Sequence, residues 1–134
     1  MDLGVTIDSD LTFVKHIRSI VSKAKQRIYL IFKTFLCRDI DILTFAYISY
    51  VRPILEFSSV VWSPTRLSDI DYIEDVQRYF TKRLQGLWDS PYSDRLLMCG
   101  LQSLELRRIN IDLILVYKIV YKLVSLDFDS FFCF

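Results

Sequence analysis

Between residues 13 and 38 the chain reads FVKHIRSIVSKAKQRIYLIFKTFLCR, and its apolar residues recur at the three-and-four spacing of one helical face. Turned by about 100° per residue, Phe13, Ile17, Ile20, Val21, Ala24, Ile28, Ile31 and Phe35 fall within an arc of about 100°. Val14 and Phe32 widen that arc at one margin. A stripe this long needs other elements laid against it, so the segment predicts helix-on-helix packing. The helix is expected to begin near Asp10, with Asp10 or Ser9 as its N-cap.

The segment holds seven Lys or Arg and not one Asp or Glu, with Lys15, Arg18, Lys23, Lys25 and Lys33 on the remaining surface and Arg27 near the other margin, although the whole chain carries 17 basic and 16 acidic residues. Charge is laid out in blocks. Residues 11–38 hold seven bases and no acid, residues 39–75 two bases and seven acids, and residues 76–108 six bases and three acids. A solvated helix usually mixes signs and forms i,i+4 pairs. This one has none, so its basic side is suited to phosphates, each Lys or Arg releasing counterions without reading sequence.

The rest of the chain supports an all-α reading, a bundle of about five helices with one short N-terminal β-strand. Only three Gly and three Pro occur among 134 residues that are 52% hydrophobic, which argues against both disorder and a turn-rich β fold. LGVTID at residues 3–8 reads as the strand, and a lone strand needs a partner, here a sheet outside this chain. A second helix starts near Asp39 or Asp41. Pro53 ends it and opens another helix across PILEFSSVVW, and this apolar pair is expected to be central. After the loop SPTRLSD, Ser68 and Asp71 suggest a capping box for a helix with Ile70, Ile73, Val76, Phe80 and Leu84 on one face. Glu74 lies four residues before Arg78 on this helix and is its expected ion-pair partner. Gly86 is placed to end the helix. A short helix over residues 93–99 stops at Gly100, and the last helix starts near Ser103. Its broad face of Leu106, Ile109, Leu113, Val116, Tyr117, Val120 and Val124 is expected to be covered by neighbours. The tail DFDSFFCF ends on aromatics and reads as a cut.

Catalytic chemistry finds little footing. Of the acidic pairs Asp39/Asp41, Asp69/Asp71 and Asp127/Asp129, two sit at predicted helix starts, where capping is their expected role. His16 has no Ser, Cys or Asp relay and is expected to face solvent or a partner. Glycines at 4, 86 and 100 cannot form a phosphate loop. Cys37, Cys99 and Cys133 are widely spaced and lack a C-x-x-C pair. They are therefore expected to be small buried hydrophobes, with no metal site and an intracellular, cytoplasmic or nuclear setting. No signal peptide or membrane span is evident. Tyr29, Leu30 and Leu36 interrupt the polar side of the first helix and hint at a second packing surface.

Four ordered stretches, LGVTIDSDLTFVKHI, YVRPILEFSSVVWSP, IEDVQRYFTKR and LQSLELRRINIDLILVYKI, resemble the segment that follows the catalytic core in reverse transcriptases of non-LTR retrotransposons of the jockey and related LINE type. The resemblance covers nearly the whole chain. It implies that residues 1–8 are the terminal strand of an absent polymerase palm, and that residues 9–134 are a helical thumb and connector. It also implies that Lys15, Arg18, Lys23, Lys25 and Arg27 lie near the backbone of an RNA–DNA or RNA duplex. Arg78, Lys82 and Arg83 are further candidates on the basis of charge. The family's Tyr/Phe-Ala-Asp-Asp turn is absent from this sequence. The chain on its own is therefore expected to lack polymerase activity and to need no cofactor, although the parent polymerase would use Mg. Two rival readings remain: a structural remnant without function, and a helical protein–protein module built on Tyr29, Leu30 and Leu36.

Overall fold

The computed structural model describes residues 4–130. Seven α-helices are present among them: α1 Val14–Thr34, α2 Ile40–Tyr50, α3 Arg52–Glu56, α4 Ser59–Trp62, α5 Leu67–Lys82, α6 Tyr92–Cys99 and α7 Leu104–Val120, followed by a 3-10 turn at Phe128–Ser130. The all-α class stands. The excess over about five helices lies in short pieces such as α3 and α4.

The expected N-terminal strand is not seen among the described residues. Leu3 lies outside the described residues, and no strand occurs among those that follow. The described part of this segment packs against the helical core. Val5 is buried in the core, and the Thr6 N–H donates to His16 Nδ1 at 3.3 Å.

α1 begins at Val14, with Phe13 rather than Ser9 or Asp10 in the N-cap position. The Leu11 N–H closes a turn on the Asp8 carbonyl, and both Leu11 and Phe13 adopt positive φ, so the helix cannot extend back through them. α2 starts as expected: Asp39 accepts hydrogen bonds from the Asp41 and Ile42 amides at 2.9 and 3.2 Å. Pro53 sits in the first turn of α3, also as expected. The helix expected through residues 53–62 nevertheless breaks at Ser58, whose φ is 53°. The break frees the Phe57 carbonyl, and the indole of buried Trp62 donates to it at 2.8 Å.

The capping box at Ser68 does not form. The N-cap of α5 is Arg66, two residues earlier, and the Asp71 carboxylate is taken by Arg78 at 3.2 Å. Gly100 ends α6 in the left-handed conformation, with φ of 62°. Ser103 caps α7 through the Leu106 amide at 3.2 Å.

α5 is the central element, with α1, α6 and α7 all packed on it; α2 and α3 close over α1. Ile17, Val21, Ala24 and Ile28 of α1 meet Leu43 and Tyr47 of α2, Leu55 of α3, and Ile73, Val76 and Phe80 of α5 in one core. The pair expected to be central is only partly so, since Ile42, Phe45, Tyr50, Phe57, Val60 and Val61 are exposed.

A polar network runs through this core and joins four helices. Tyr47 OH donates to Gln77 Oε1 at 3.0 Å. Gln77 Nε2 donates to Tyr92 OH at 3.1 Å and to the Gln102 carbonyl at 2.9 Å. Tyr92 OH donates in turn to buried Glu74. The other task of Glu74 is to cap α7 from outside the helix: its carboxylate accepts from the Leu104 amide at 3.0 Å and the Glu105 amide at 3.3 Å. Glu56 adds a second link to α7 through a bidentate contact with Arg107.

The broad α7 face expected to be covered is open. Leu106, Ile109, Leu113, Val116, Tyr117 and Val120 are all exposed, because the helix packs through its other side, at Leu104, Arg108 and Ile119.

Candidate nucleic-acid interface

Five of the eight candidate cations lie on α1, and helical geometry divides them. Residues two apart on a helix point about 160° away from one another, so Lys25 and Arg27 cannot share one surface. Lys25 lies toward α5, with its Nζ 5.7 Å from the centre of the Tyr72 ring. Arg27 borders a hollow with Leu30, Thr34 and Tyr50 on the α2 side. Lys23 is on that second flank too, close enough to His16 to disfavour its protonation. Lys15 is engaged with Asp8 at 3.5 Å. Arg18, Lys23, Lys25 and Arg27 form no ion pair with any described residue.

The α5 candidates also separate. Arg78 is held by two carboxylates, Asp75 at 2.8 Å and Asp71 at 3.2 Å, and these contacts raise its pKa, hydrogen bonding to Asp75 first. Glu74, the partner that helical spacing assigns to Arg78, points inward to α7 instead. Arg78 is therefore engaged in ion pairs within its own helix. Lys82 is exposed in the last turn, where it complements the helix dipole.

Arg83 belongs to a different arrangement. Its guanidinium stacks 4.7 Å from the centre of the Phe32 ring and bonds to Tyr79 OH. Facing it across an open groove of about 620 Å³ are Lys33 and Arg38, with Tyr29, Leu43 and Gln85 in the walls. Arg38 is anchored by donation from Nη1 to the Phe32 carbonyl at 3.1 Å. Lys33 Nζ lies 5.8 Å from the centre of the Tyr29 ring. No acid lines this groove. A second groove of about 600 Å³ shares Tyr29 and continues along α1 past Lys25, Gln26 and Tyr72, again without an acid.

The structure thus gathers Lys25, Lys33, Arg38 and Arg83 with Tyr29 and Tyr72, and leaves Lys23, Arg27 and Arg78 elsewhere. Sequence reasoning passed over Lys33 and Arg38 as site residues. Lys33 could have been found, since it shares a helical side with Lys25 and Tyr29. Arg38 could not, because it follows the end of α1, where helical periodicity no longer fixes direction.

His16 corrects another expectation. It faces neither solvent nor a partner: it is buried, tilted against Trp62 at 5.2 Å between ring centres. Burial, then the nearby Lys23, lowers its pKa. The cysteines differ as well, since Cys37 is exposed and Cys99 half-buried, and Cys133 lies outside the described residues. Of the acidic pairs, Asp39 does cap a helix, whereas Asp71 pairs with Arg78. Among the described residues no group of three His, Cys, Asp or Glu could hold a metal ion, and no helix is long and apolar enough to cross a membrane.

No family model matches the chain, and no solved structure matches it. An uncharacterized protein of Caenorhabditis elegans is 24% identical over 111 residues, covering 81% of this chain and 56% of that protein. The chain thus spans about half the length of the curated relative it matches.

Proposed function

We propose that this chain is the thumb-like and connector segment of a non-LTR retrotransposon reverse transcriptase, binding nucleic acid through backbone phosphates and having no catalytic centre of its own. The observation that carries the proposal is the pair of acid-free grooves between α1 and α5, where Lys25, Lys33, Arg38 and Arg83 stand beside exposed tyrosines. Positive side chains with no neighbouring acid leave their charge available to a polyanion. The four ordered sequence stretches supply the family resemblance. The open apolar row on α7 is also what this proposal expects, since an absent palm would leave such a surface uncovered.

The test is binding of the purified chain to a labelled RNA–DNA duplex across a salt series, beside a variant with Lys15, Arg18, Lys23 and Lys25 changed to Gln. A linear fall of log affinity with log salt is expected. Each lost phosphate contact should flatten the slope by about 0.9. Because Lys15 is paired and Lys23 lies on the far flank, Lys25 and Arg18 should account for most of the change. A folded parent chain that fails to bind even at low salt would leave the remnant reading in place.

A further inference from the structure

We infer that the groove between the C-terminal half of α1 and the end of α5 is a site for single-stranded nucleic acid, with one base stacked on Tyr29 and the flanking phosphates held by Arg38, Arg83 and Lys33. The inference rests on the nucleic-acid reading above and narrows it from a backbone-only grip on a duplex.

Three features distinguish this groove from a basic patch that merely touches a duplex. First, its cations are pre-positioned. Arg38 and Arg83 each use part of their donor set on a fixed partner, the Phe32 carbonyl and Tyr79 OH, and both guanidiniums lie over the Phe32 ring, at 5.9 and 4.7 Å from its centre. A guanidinium has five N–H donors, so each retains a fork for a phosphate. Second, aromatic rings lie among the cations. Tyr29 is 56% exposed and forms a wall of both grooves, and Tyr72 is exposed beside Lys25. Duplex backbone offers phosphates but hides its base faces, whereas an unpaired strand offers both. Alternating cations and open rings therefore suit the unpaired strand. Third, Gln85 in one groove and Gln26 in the other can meet base edges without selecting a sequence. Asp39 and Asp41 line the adjoining hollow, and Asp39 is occupied in capping α2.

The experiment compares a short labelled oligothymidylate with a blunt duplex of the same length, using fluorescence anisotropy and the full chain. Four proteins are measured: the parent, Tyr29→Ala, Tyr29→Phe and the double variant Arg38→Gln/Arg83→Gln, each checked for helical circular dichroism. The single strand should bind more tightly than the duplex to the parent. Tyr29→Ala should weaken single-strand binding roughly tenfold, Tyr29→Phe should restore it, and duplex binding should not respond to either. The double variant should flatten the single-strand salt slope by about 1.4, about 0.7 for each contact. Equal affinity for the two polymers, or a silent Tyr29→Ala, would overturn the stacking site. If the duplex then still binds with a steep salt slope, the phosphate grip survives while this inference falls. Tyr29-dependent single-strand binding with no grip on duplex would instead uphold the stacking site and remove the duplex grip. A folded parent that binds neither polymer ends both.

Discussion

At the residue scale, Glu74 carries more of the fold than any surface charge. It is buried, and it accepts from two α7 amides and from Tyr92 OH. Glu74→Gln keeps the volume but turns an NH2 group toward donors, which should cost about 2–3 kcal/mol in urea unfolding. An unchanged midpoint would show the cap to be dispensable. Arg108 presents the opposite case. It is buried with both terminal nitrogens unpartnered among the described residues, and desolvation outweighs the pull of Glu74 and Glu105, lowering its pKa. Arg108→Met should therefore be neutral or stabilise by about 1–2 kcal/mol, measured in the same way. His16 sets a pH limit. Its folded pKa lies below the unfolded value of about 6.5, so the stability it contributes is present above that pH and is lost as pH falls through the lowered value. The urea midpoint should fall between about pH 7.5 and 5, and His16→Phe should flatten that fall. A slope identical to the parent's would exclude His16 as its source.

At the scale of elements, the sequence was most legible where one interaction dominates. The stripe of α1, the Asp39 cap, Pro53 in the first turn of α3, Gly100 and the Ser103 cap are set by local chemistry, and all are present. Misreadings arose where a side chain had a choice of partners. Asp71 could cap α5 or pair with Arg78, and it pairs. The α7 sequence is apolar on more than one side, so spacing alone could not say which side would be buried. The tertiary choice fell on Leu104, Arg108 and Ile119. The candidate site was legible in its sign and in its helix, because the absence of acids is visible in one dimension. Its composition was not, since Arg38 lies past the end of α1, where periodicity no longer fixes direction, and only the fold brings Arg83 beside it.

At the scale of the whole molecule, the Tyr47–Gln77–Tyr92–Glu74 chain links α2, α5, α6 and α7. Burial, foremost, raises the pKa of both tyrosines. Groups with raised folded pKa contribute stability that is present below the unfolded value and lost as pH rises above it. The molecule should therefore unfold cooperatively at alkaline pH, beginning above about 10. The share of tyrosinate absorbance due to Tyr47 and Tyr92, read as the difference from a Tyr47→Phe/Tyr92→Phe variant, should appear together with loss of helical circular dichroism; a tyrosinate signal from all eight tyrosines before helix loss would refute the linkage. The same network gives α7 two unlike ends. Its first turn is held by Glu74, Ser103 and the Glu56–Arg107 contact, while Lys118 and Lys122 lie exposed beside and beyond the last buried contact. A protease needs several residues of backbone to loosen before it can cut. Brief trypsin treatment should therefore cut first after Lys118 and Lys122 and spare Arg107 and Arg108, trimming the molecule from one end while its bundle stays intact.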